Sequence, residues 1–112
     1  MGGSQGAGLG KSAAMSLPVV LRLEARAEFD DAFDWYEQQR PGLGVDFVRQ
    51  VQAILDRIST TPELYAQVFQ EVRRAVVQRF PYAVFYKIES QQVVVLAVFH
   101  SRRDPKIWQE RA

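Results

Sequence analysis

The chain has 112 residues, 47% of them hydrophobic and 24% charged, which suits one small globular domain and leaves little room for a second. It has no cysteine and a single histidine, so disulfides and thiolate metal sites are excluded and a zinc centre lacks ligands. Net charge is +1, but residues 1–64 hold six Lys/Arg and nine Asp/Glu (net −3) while residues 65–112 hold eight and four (net +4).

Such asymmetry predicts a basic surface built by the second half; the plainer alternative is a sheet edge protected by solvated charge. Residues 1–16 are rich in Gly, Ser and Ala and carry no apolar period. They read as a flexible leader or an expression remnant, with Met15 as a native start and residues 17–112 as the single domain. The start lacks an apolar signal core, and no run approaches the roughly 18 apolar residues that span a bilayer; a cytoplasmic chain without a membrane partner is expected. Gly10-Lys11-Ser12 ends like a phosphate-binding loop, but Gln5 stands where that motif requires glycine and no strand precedes it. Nucleotide binding is rejected, and no cofactor is expected.

Residues 19–23, Val-Val-Leu-Arg-Leu after Pro18, predict a first strand. Over residues 25–40 the apolar positions Phe29, Ala32, Phe33 and Tyr36 make the i, i+3, i+4, i+7 stripe of an amphipathic helix. The acids Glu28, Asp30, Asp31 and Asp34 lie in its early and middle turns, where the first of them favour the helix dipole. Pro41-Gly42 ends it. A second stripe through Phe47, Val48, Val51, Ile54, Leu55 and Ile58 predicts another helix, closed by Pro62, and so short a break predicts an antiparallel helical hairpin. Residues 63–71 read as a loop with some extended character. The period then changes from helical to alternating: residues 72–80, 82–89 and 92–100 are three β-type runs, divided by Phe80-Pro81 and by Ser90-Gln91-Gln92. Short turns make these an antiparallel meander. Asp104-Pro105 reads as an N-cap and first helical residue opening a short helix through Trp108. The expected fold is α+β, with two helices packed on one face of a small antiparallel sheet.

Alternation over 72–80 sends Arg73, Ala75, Val77 and Arg79 to one face and Arg74, Val76 and Gln78 to the other. With Lys87 on the next strand and Arg102 and Arg103 beyond the last, these are ingredients of an anion-binding surface, because guanidinium meets phosphate or carboxylate with a bidentate fork. Tyr82, Tyr86 and Phe99 between them would also suit nucleic acid. Against this, strand arginines are often only solubilising, and Arg102 and Arg103 could pair with Asp104, Glu110 or Glu89. His100 is the one side chain that titrates near neutrality and is the candidate general acid or base, although a lone strand-end histidine is more often structural. Trp35 and Trp108 read as core or interface anchors. No nucleophile–base set is visible, and the paired carboxylates Asp30, Asp31 and Asp34 look like an exposed helix face.

The segments Val72-Arg73-Arg74, RFPYAVFY from Arg79, and VLAVFHSRRDPKIW from Val95 to Trp108 resemble the toxins of the RelE/ParE superfamily. Gly44 and Phe47 at the start of the second helix match its plan, and the likeness covers residues 17–112. The resemblance implies a β-α-α-β-β-β fold with a short C-terminal helix. It also implies the toxic half of a type II toxin–antitoxin pair, in a hetero-oligomer with a small antitoxin whose carboxyl-terminal segment wraps over the toxin. RelE-like members cleave messenger RNA on the ribosome with sheet lysines and arginines and a late tyrosine or histidine; ParE-like members poison DNA gyrase. The HSRRDPKIW ending, the single sheet lysine Lys87, and Trp108 where a tyrosine would stand favour the ParE-like branch. On that branch no residue is catalytic, and Arg73, Arg74, Arg79, Arg102, Arg103 and Trp108 are expected to bind the target or another anion. On the ribonuclease alternative the working groups are Arg73, Arg79, Lys87 and His100. A third alternative is a non-toxic antitoxin-binding module.

Overall fold

A computed structural model describes residues 16–112; all of the leader but Ser16, with Met15 and the Gly10-Lys11-Ser12 motif, lies outside the described residues. The elements run β1 (Val19–Leu21), α1 (Leu23–Gln39), α2 (Leu43–Thr60), β2 (Gln67–Phe69), β3 (Val72–Val76), β4 (Tyr82–Glu89), β5 (Gln92–His100) and α3 (Lys106–Gln109). The five strands form one sheet in the order β1-β5-β4-β3-β2.

Each helix forms where its apolar spacing can bury a stripe. α2 puts Phe47, Val51, Ile54 and Ile58 into the core, and α1 contributes Ala25, Ala32 and Tyr36. Phe29 stays half-buried against Phe47, 6.0 Å between ring centroids. Between the helices the chain reverses through Gly42, whose φ of +90° lies in the left-handed region that a Cβ disfavours. Both carboxylate oxygens of Glu37 then reach across the turn: Oε1 accepts from the N–H groups of Gly44 (2.8 Å) and Val45 (3.2 Å), and Oε2 from Gly42 (3.2 Å). A side chain of α1 thus satisfies the open donors at the start of α2, and the Gly42 bond leads in holding its carboxyl below the ordinary value.

The meander β3-β4-β5 is antiparallel, with Arg73 opposite Tyr86 and Tyr82 opposite His100. Two features refine the expected sheet. β1 pairs with β5 in parallel, Val19 opposite Val93, so the sheet is mixed. Residues 67–69, within the segment read as a loop with extended character, add the edge strand β2. The run 72–80 also divides: the strand ends at Val76, and Arg79 turns the chain with φ +70°. Pro81 cannot donate to a ladder, so the chain leaves the sheet before it.

On the helix face of the sheet, Ala75, Val84, Tyr86, Val93, Val95 and Val98 meet α1 and α2. On the other face lies a second, thinner cluster of Val72, Phe85, Val94, Leu96, Phe99 and Trp108. Between Phe85↔Ala97 and Tyr86↔Val95 the register slips by one residue of β5, a bulge that turns Leu96 and Ala97 both into this second cluster. With both faces covered, β5 is buried from Val93 to Phe99, which is why its sequence is a continuous apolar run instead of an alternation.

Candidate functional site

On the face away from the helical hairpin, the sheet forms a groove of about 450 Å3. Its floor and walls are Val76, Ala83, Phe85, Phe99 and Trp108, with Arg74, His100 and Arg103 beside them. Val76 is 57% exposed on that floor. The indole of Trp108 is only 5% exposed, stacked on Phe85 with centroids 4.1 Å apart and edge-on to Phe69 at 5.9 Å. α3 brings it there: the Asp104 carboxylate accepts from the Lys106 N–H (3.0 Å), capping the turn in which Pro105 follows. Trp108 is therefore a wall of the groove held from behind.

The arginines divide among three settings. Arg73 points to the helix face, where Nη1 donates to the carbonyls of Tyr65 (2.6 Å) and Glu63 (3.1 Å) and ties the loop before β2 to β3. Arg74, Arg79 and Arg102 are exposed, and their guanidinium groups have no partner among the described residues. Arg74 lines the groove, while Arg79 sits in the left-handed turn off the strand rather than on the face of Arg73. Arg103 pairs with Glu28 at 2.9 Å and lies 4.3 Å from the Phe99 ring centroid, not with Asp104, Glu110 or Glu89.

Glu28 gathers more than Arg103. Its Oε1 accepts from the Val98 N–H (3.1 Å) and from Arg111 Nη1 (3.1 Å), and its Oε2 from Arg111 Nη2 (3.0 Å). Arg111 Nη1 also donates to the Leu96 carbonyl (3.0 Å), and the Arg111 carbonyl accepts from Arg22 (2.8 Å). This hub locks α1, β5 and the chain's carboxyl end together, and so fixes one end of the groove. Sequence reasoning missed it. In the sequence Glu28 reads only as an early-turn acid that favours the helix dipole, and Arg111 lies 83 residues away with no motif around it.

His100 ends β5. Its Nδ1 accepts from the Arg102 N–H (3.0 Å), and its ring meets Tyr82 edge-to-face at 5.1 Å. Burial, reinforced by Tyr36 and opposed by Arg103, raises the Tyr82 phenol above its ordinary value. Lys87 lies 3.5 Å from Glu89 and lines a separate hollow with Gln70, Glu71 and Val72. Since Tyr82 pairs with His100, Lys87 is five strand residues away, about 17 Å along the sheet. Arg73, Arg79, Lys87 and His100 thus stand on different faces and ends of the sheet. No group of three or more acids or histidines that could hold a metal occurs among the described residues, and no described helix is long and apolar enough to cross a membrane.

Residues 19–105 match the sequence family described as ParE toxin of type II toxin-antitoxin system, parDE. Among solved structures, a chain of the chromosomal ParDE TA system from P. aeruginosa superposes with a TM-score of 0.68. The likeness covers 77% of this chain and 97% of that one at 14% identity, which makes it a likeness of fold. No curated protein sequence matches the chain.

Proposed function

The chain belongs to the ParE toxin family of type II toxin–antitoxin systems, and from that premise we propose that it arrests growth by binding DNA gyrase and poisoning it, without chemistry of its own. One observation carries the reading: the side chains that could cut RNA do not converge. General acid–base catalysis needs its groups within about 3 Å of the proton they move, and transition-state stabilisation needs donors aimed at one point. Here Arg73 is bound to two backbone carbonyls, Nδ1 of His100 accepts a backbone N–H, and Lys87 is at the far end of β4. What remains free is surface: the unpartnered guanidinium groups of Arg74, which lines the apolar groove, and of Arg79 and Arg102, which adjoin its lining residues Phe80, Ser101 and Arg103 in the chain. That combination suits recognition of an acidic macromolecular surface. The same groove is the natural seat for a segment of the antitoxin in a toxin–antitoxin hetero-oligomer, acting in the cytoplasm where gyrase works.

Purified chain added to gyrase, plasmid DNA and ATP tests the reading. The expected result is accumulation of cleaved plasmid or loss of supercoiling, relieved by Arg74→Glu combined with Arg102→Glu. Unimpaired supercoiling at a large molar excess of toxin, or transcript cleavage accompanying growth arrest, would overturn it.

A further inference from the structure

The groove does not end at Tyr82 and His100. Both residues, with Arg103, also line a smaller hollow of about 260 Å3 between the sheet and α1, so the two depressions adjoin across these three side chains. Apart from Val98 of β5, the remaining wall of the hollow comes from α1: Glu28, Asp31, Ala32 and Trp35. Asp31 and Trp35 are one turn apart and therefore share a helix face. We propose that this hollow receives a cationic side chain, an arginine by preference, from the antitoxin segment that occupies the groove. The proposal rests on the reading that an antitoxin covers the groove.

Charge and shape both support it. Within the hollow the Glu28 carboxylate is already matched by Arg103 and Arg111, which leaves Asp31 as the uncompensated charge; its carboxylate has no partner among the described residues. Beside it the Trp35 indole is 56% exposed, a large apolar surface in T-shaped contact with Tyr36 at 5.1 Å. A carboxylate next to an exposed indole is the pairing that selects a guanidinium, which stacks on the ring and donates to the acid at once. The groove itself has the opposite character, with Arg74 unpartnered beside an apolar floor. A segment that fits both must carry apolar or acidic side chains along the sheet and a basic one where it meets α1, so the sign change fixes its direction and register.

N-acetyl-arginine amide, with N-acetyl-citrulline amide as its neutral isostere, is the probe, and the indole N–H resonance of Trp35 is the readout. Saturable movement of that resonance with the arginine probe is expected, with the buried Trp108 indole unmoved as a check on the fold. Asp31→Asn should weaken binding by roughly fivefold, the scale of one exposed cation–π and charge contact. The absence of a saturable response up to roughly 50 mM probe, a range that still registers binding in the tens of millimolar, overturns the site, as does an equal response to citrulline amide or an equal response by the Asn variant. Induction of the chain in cells is read separately. Growth arrest with a Trp35 blind to arginine leaves the toxin reading standing and removes this one; arginine binding by a harmless chain keeps the site and removes the toxin reading.

Discussion

Glu28 sits on a helix whose neighbouring acids face solvent, yet its side chain is 13% exposed and bridges two arginines and a strand N–H. Removing one partner of a buried ion pair leaves the other charge desolvated. Because the pair retains some solvent contact, and Arg111 keeps its bond to the Leu96 carbonyl, Glu28→Ala should cost about 2–4 kcal/mol, toward the lower end of buried-pair losses. Glu28→Gln should cost less, since an amide oxygen can still accept from Val98. Urea midpoints measure both, and a loss under about 0.5 kcal/mol, the size of an exposed pair, would refute the hub's structural role. Tyr86 makes a second residue-scale case. Its buried hydroxyl donates to the Pro62 carbonyl at 2.6 Å, and burial pushes its pKa from 10.0 up to about 12, with Arg73 opposing. The folded chain keeps this proton after the unfolded chain has lost it. Stability is therefore full below pH 10 and falls as pH rises from 10 toward 12. Tyr86→Phe should lose about 1 kcal/mol at neutral pH and show a shallower alkaline slope; Tyr36 and Tyr82, also raised, supply the slope that stays.

The two helices approach closely at Gly44, and that closeness is set by backbone. A Cβ built there would lie 2.6 Å from the Phe33 carbonyl oxygen and 2.6 Å from Glu37 Cγ. Alanine would gain up to about 1 kcal/mol in helix propensity, but the clash with a carbonyl of α1 cannot be relieved by a rotamer and costs about 1–3 kcal/mol. It would also disturb the Glu37 cap that the glycine N–H helps to hold. Gly44→Ala should be destabilising on balance, by calorimetry, and a higher melting temperature would show that the helices are not in contact there. The stripe of α2 was legible because Phe47, Val51, Ile54 and Ile58 recur at helical spacing, and the break at Pro41-Gly42 because both residues have local backbone chemistry. β2 and the parallel pairing of β1 were not. Strands of three residues are too short for a period to specify either existence or partner, and their places are fixed by β5 and β3.

At the scale of the molecule, the unequal cover of the sheet's two faces decides where a partner can bind. The helical hairpin covers most of one face, leaving the hollow beside Tyr82 and His100, whereas α3 and Phe69 cover the other only in part and leave the groove. The basic character of the carboxyl-terminal half was legible as a charge count, and the aromatic residues as strand formers. Which arginines remain free was not, because Arg73, Arg103 and Arg111 find acceptors through contacts between distant segments. Trp108, expected among the target-binding residues, shows how far cover and site depend on each other. Its indole stacks on Phe85 and seals the second cluster, and α3 has four residues, too few to hold its place without that contact. Trp108→Ala should therefore cost about 3 kcal/mol, the low end for a large aromatic because the site is shallow, and release α3 from the sheet. Phe85, Phe99 and Phe69 would then become accessible together, so the variant should bind a hydrophobic dye at denaturant concentrations where the first core is intact, and its α3 amides should exchange well before those of β4. If the variant unfolds in one step with no dye binding, the two faces form a single cooperative unit, and the groove is as rigid as the core beneath it.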